Sequence, residues 1–129
     1  MQFFRFDRAE RVIDRFDSAG ATATRVAGGD GRFQLTCLSI APGGTIGEHS
    51  APVRQLLLVV AGDGWVAGPD GRRVAIAAGT GVQWEPGEDH TSGSETGMTM
   101  LALEGPSVET HPADQPPGAQ IRCAKGDGQ

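Results

Sequence analysis

Apolar positions along the chain come in short runs, each closed by glycine, proline or aspartate. The plainest run covers residues 56–60, all leucine or valine. A polar Gln55 stands at its start and Gly62-Asp63-Gly64 at its end. A run this short, bounded by turn residues, predicts a buried strand rather than a helix, with the turn at 62–64 closing it. Period two then puts Gln55, Leu57 and Val59 on one face and Leu56, Leu58 and Val60 on the other. Residues 32–40 alternate in the same way, with Phe33, Leu35 and Cys37 opposite Gln34, Thr36 and Leu38. Apolar character on both faces predicts a strand held between two packed sheets, with Cys37 as a buried, inert thiol.

Further strands are expected at 21–27, 65–67, 73–77, 82–85 and 98–103. Between the second and third of these stands Gly68-Pro69-Asp70-Gly71, which has good hairpin-turn chemistry. Met98 and Met100 share a face and read as core. Short strands joined by Gly/Pro turns predict an all-β sandwich or barrel. Residues 1–17 mix Phe3, Phe4, Phe6, Val12, Ile13 and Phe16 with alternating charges. They allow either an early strand and a turn, or a helical turn around 9–15.

Composition narrows the function classes. A length of 129 residues makes one domain with one core. The formal net charge of −5 and the scattered basic residues argue against nucleic acid, which needs clustered Lys and Arg. No apolar run approaches a membrane span, and charges throughout the first residues are unlike a signal peptide. The two cysteines, Cys37 and Cys123, form no metal-ligand pattern, so a cytoplasmic protein with reduced thiols is expected. Three divisions follow. Residues 1–32 are N-terminal strands or an arm, 33–104 are the barrel core, and 105–129 are an extended Pro-rich tail in which His111 reads as solvated.

The candidate chemistry lies in His49, Gln55 and His90. A loop carrying His49, the strand opened by Gln55 and a later turn delivering His90 can bring three polar side chains to one point. The stretch around the first two resembles the first signature motif of the cupin superfamily, G-x5-H-x-H-x3,4-E-x6-G. Gly43, His49 and Gly62 are in register, Ala51 stands at the second histidine, and Gln55 stands at the glutamate. The second stretch resembles the partner motif, G-x5-P-x-G-x2-H-x3-N. Gly79, Gly87 and His90 are in register, with Glu85 at the proline and Ser94 at the asparagine.

The resemblance covers roughly residues 33–104. It implies a double-stranded β-helix, or jelly-roll barrel, and a homodimer in which residues 1–32 serve as an exchanged arm. It also implies a divalent metal (Fe, Ni, Cu, Mn or Zn) held by His49, Gln55 and His90. The site is reduced from three His and one Glu to two His and one Gln, since an amide brings no charge. His49 and His90 are the catalytic candidates. Glu48, Glu85 and Glu88 are candidates to restore a carboxylate, and Phe33, Leu57, Trp65 and Trp84 are candidates to line the substrate pocket. Without tyrosine, the His/Tyr acid–base pair of the sugar-epimerase cupins is excluded.

Two functional readings stand. One is a metal-dependent oxygenase, isomerase or cyclase acting on a small metabolite. The other is a metal-free ligand-binding or sensor protein, in which the histidines hydrogen-bond each other, Gln55 or water. A purely structural dimerisation module is a third, less favoured by the retained histidine pair.

Overall fold

A computed structural model describes residues 1–110; the expectations for His111, Cys123 and the rest of the tail fall outside the described residues. The described chain is all β, without a helix long and apolar enough to cross a membrane. Its strands are β1 (Gln2–Arg5), β2 (Arg11–Val12), β3 (Thr22–Ala23), β4 (Ala27–Gly28), β5 (Gln34–Ile40) and β6 (Gly44–Ser50). They continue with β7 (Gln55–Ala67), β8 (Arg73–Ala77), β9 (Thr80–Trp84), β10 (Asp89–Ser94), β11 (Met98–Glu104) and β12 (Glu109–Thr110).

The architecture turns on β7. At thirteen residues it is nearly twice the length of any other strand, and it belongs to both halves of the barrel. Its first half lies between β9 and β11, in the order β1-β9-β7-β11-β5, and its second half lies between β8 and β10, in the order β8-β7-β10-β6. Gly62-Asp63-Gly64 is therefore a bend within one strand, not the closing turn its composition suggests. Gly62 adopts φ +79°, and a Cβ there would collide with the Gly97 carbonyl oxygen. The register against β11 shifts at the same place, between Thr99 and Met100. A glycine and a bulge are the means by which a strand changes sheets.

The core fills the space between the two halves. Leu57, Val59, Val66, Ile76, Val82, Trp84, Met98, Met100 and Ala102 form one buried cluster, so the methionines are core as expected. Residues 68–71 form the hairpin turn between β7 and β8, closed by the Gly71 N–H donating to the Gly68 carbonyl at 3.0 Å.

Three expectations are corrected. Residues 21–27 form two two-residue strands, β3 against β2 and β4 against β12, rather than one. No helical turn forms at 9–15, where β2 stands. Cys37 is exposed rather than buried, and so are Phe33 (64%) and Leu35 (57%) on the same side of β5. Among the described residues β5 pairs only with β11, so it stands at the edge of its sheet. Strand β1 pairs with β9 and extends the first sheet by one strand.

Candidate functional site

Register across the first half of the barrel places a polar row above apolar ones. Trp84 of β9 is paired with Gln55 of β7, Gln55 with Glu104 of β11, and Glu104 with Gln34 of β5. One pleat deeper, Val82, Leu57, Ala102 and Thr36 follow in the same order. Residues two apart share a strand face. Gln55 and Glu104 therefore stand over a floor made by Leu57 and Ala102.

The other half supplies the histidines. His49 of β6 and His90 of β10 are direct register partners, on paired strands rather than on a loop and a turn. Their ring centroids are 4.4 Å apart and the planes tilt by 60°. A cavity of about 220 Å³ takes in His49, His90, Gln55 and Glu104 at its polar end, with Leu57 and Ala102 among its apolar lining. The structure thus brings His49, Gln55 and His90 into one cavity and adds Glu104.

Each imidazole is held in the same way. His90 Nδ1 lies 3.1 Å from the Glu88 carbonyl, and His49 Nδ1 lies 2.8 Å from the Gly47 carbonyl. A carbonyl only accepts, so Nδ1 is the donor in both rings, and in a neutral ring so held Nε2 keeps the lone pair that a metal or an acidic proton would take. His90 is buried and stacks on Trp84, at 4.6 Å between centroids and 12° between planes. Burial lowers its pKa, and the neighbouring His49 lowers it further; these outweigh the bond to the Glu88 carbonyl, which acts to raise it. His90 is accordingly neutral at neutral pH, the form that ligates. His49 is exposed and faces the mouth.

Two imidazole nitrogens and an amide oxygen suit a divalent ion of intermediate softness, and two rings oriented through Nδ1 match the way ligating histidines are held. The fit is that of a sparse site. Among the described residues no group of three or more His, Cys, Asp or Glu is placed to hold a metal. Of the carboxylates expected to substitute, Glu48 is exposed and the other two are committed elsewhere. Glu85 bonds Gln83 and Arg54, and Glu88 accepts from the Glu85 N–H. Glu104 was not among them, although period two from Met98 through Met100 and Ala102 leads to it. It ends an apolar run outside both motifs, so neither motif points to it.

The remaining pocket candidates divide. Leu57 lines the cavity as expected. Trp84 has no surface in it and acts from behind, as a wall against His90. Trp65 lies away from it, over Gly93 and beneath the Arg73 guanidinium at 3.8 Å. Phe33 lines a separate open groove of about 480 Å³ with Arg32, Pro52, Val53 and Pro106; the groove meets the histidine cavity only at Glu104.

A β-barrel whose two sheets share one long strand, with paired histidines at one end of the lumen, defines a class of protein. The chain has the cupin fold. Its structure is similar to a cupin superfamily protein from Desulfitobacterium hafniense (17% identity, TM-score 0.54, covering 67% of this chain and 82% of that one). It is also similar to an RmlC-like cupin from Shewanella frigidimarina (23%, 0.53, 57% and 66%). An RmlC-like cupin with a double-stranded β-helix fold from Methanocaldococcus jannaschii matches at 12% and 0.54, covering 64% and 72%. Among curated proteins, an (R)-mandelonitrile lyase from Granulicella tundricola is 38% identical over 65 residues, 49% of this chain. The chain spans about half the length of that curated relative (50%). No protein-family model matches the chain.

Proposed function

We propose that this cupin is a divalent-metal-dependent enzyme acting on a small metabolite at the mouth of its barrel, with His49 Nε2, His90 Nε2 and Gln55 Oε1 as the protein ligands. The carrying observation is the matched tethering of the two histidines, each Nδ1 on the carbonyl two residues before it and both rings in one cavity. Iron, nickel, copper, manganese and zinc are all compatible with imidazole ligands. When bound, the ion supplies Lewis-acid polarisation of a substrate oxygen. The chain's own residues orient the substrate over Leu57 and Ala102 and keep one imidazole dry.

Of the reaction classes open to such a site, the 38% identity to an (R)-mandelonitrile lyase favours lyase chemistry on a small hydroxylated substrate over oxygenase, isomerase or cyclase chemistry. Mandelonitrile cleavage by metal-loaded protein, absent in His49→Ala and His90→Ala, is the expected result. Equal turnover by wild type and both variants would contradict it. A metal-free ligand-binding or sensor role is the second reading, favoured by the absence, among the described residues, of any cluster of three His, Cys, Asp or Glu. A thermal shift separates the two. Ligation of the folded state raises the melting temperature with added metal on the first reading, and leaves it fixed on the second.

A further inference from the structure

Gln55 departs from the cupin pattern in losing a negative charge. Its neighbour offers a reason. The Gln55 Nε2 lies 3.3 Å from Glu104 Oε2, the two residues are register partners on β7 and β11, and both side chains line the histidine cavity. A carboxylate has no proton to give, so the amide must turn its NH2 toward Glu104 and its oxygen away. Were residue 55 a glutamate, two carboxylates would meet here, and one would be forced to hold a proton.

We propose that Glu104 is a positioning residue of this site: it sets the amide of Gln55 with Oε1 free for the metal, and it returns to the cavity the carboxylate that position 55 lacks. The charge has in effect moved one strand across the sheet. His49, His90 and the oriented Gln55 oxygen would hold the ion, with the Glu104 carboxylate one hydrogen bond behind the amide. This rests on the metal-binding reading above for its purpose, though not for its geometry. It also gives a role to the acidic residue that ends the largely apolar β11 at that register.

The test uses wild type, Glu104→Ala, Glu104→Gln and the exchange Gln55→Glu/Glu104→Gln, each checked for folding by its thermal melt. In the metal-free proteins the readout is the side-chain amide resonances of Gln55, identified by their loss in Gln55→Leu. They should be displaced from free-amide positions in wild type and Glu104→Gln, whose amide oxygen still accepts, and should fall to free positions in Glu104→Ala. With manganese(II) as the probe, calorimetry should show Glu104→Ala weakened about 10- to 100-fold, the range for partners that orient a metal ligand. The exchange variant, which puts an anionic ligand back on β7, should bind at least as tightly as wild type. Gln55 resonances unchanged in Glu104→Ala would overturn the proposal, whatever the metal does. Failure of wild type to bind manganese would instead count against the metal reading, while the resonances still decide the pairing.

Discussion

At the residue scale, Trp84 has two jobs that a single substitution can separate. Its ring is fully buried and stacks on His90, while its indole N–H has no hydrogen-bond partner among the described residues. An orphaned buried donor costs about 1–3 kcal/mol. Trp84→Phe removes the donor and keeps a ring against His90, so the gain offsets part of the lost packing, and stability should stay within about 1 kcal/mol of wild type. Trp84→Ala should cost about 3–5 kcal/mol. Urea denaturation compares them, and a Phe variant as damaged as the Ala variant would mean that the indole N–H is satisfied. The residue types at the site were legible in the sequence. Their surroundings were only partly so. His49 and His90 stood out by motif, whereas Glu104 lay outside any motif and needed the register of β11 against β7 to acquire a meaning. Phe33 and Trp65 were assigned to the pocket from aromatic character alone, which does not say which face of a strand looks inward.

At the element scale, the informative strand is β7. Its apolar first half is read correctly from hydrophobicity, but Gly62-Asp63-Gly64 has a turn's composition and the sequence does not show that pairing continues through it. What holds the bend is partner geometry. The Ser94 hydroxyl donates to the Asp63 carbonyl at 2.6 Å, the Thr96 hydroxyl donates to the Asp63 carboxylate, and the Gly97 N–H donates to Ser94 Oγ at 2.7 Å. The turn between β10 and β11 thus clamps the bend. Gly62→Ala would put a side chain at φ +79° against the Gly97 carbonyl. The left-handed conformation alone costs about 1–2 kcal/mol, and the collision adds to it. A loss of at least ~2 kcal/mol is expected, with Gly71→Ala as the control: it shares the positive φ but has open space around its Cβ. Equal losses at the two positions would show that backbone conformation, not the clamp, governs the bend.

At the scale of the whole molecule, the all-β barrel was legible because short runs, turn residues and two motifs in order all pointed the same way. The pairing of β1 with β9 was not, because nothing in residues 2–5 says which strand edge they will meet. Ion pairs bind these pieces together and give the fold an acid limit. The hydrogen bond from Gln83 Nε2 at 2.6 Å, followed by the Arg54 guanidinium, holds the Glu85 carboxyl below its usual range against the opposing effect of burial. A carboxyl whose folded pKa is depressed contributes stability above its unfolded value, near 4.5, and loses it as pH falls through the folded one. The Arg54 guanidinium also donates to the Val108 carbonyl, and the Arg54 carbonyl accepts from the Gly105 N–H, so the same residue ties 105–108 to the barrel. Stability should therefore fall as the pH drops below about 4.5, and Glu85→Gln should flatten that fall while leaving its shape above pH 6 unchanged. Denaturation midpoints at pH 7 and pH 4 give the comparison; identical slopes would remove Glu85 from the acid response.

The claim on which the functional account depends is that His49 and His90 hold a metal. Elemental analysis of the purified protein, beside a His49→Ala/His90→Ala variant, tests it most directly. Near-stoichiometric divalent metal is expected in wild type and none in the variant, with the metal's identity then narrowing the reaction. Wild-type protein that holds no metal, even after reconstitution with iron, nickel, copper, manganese and zinc, would contradict it and leave the cavity to an organic ligand.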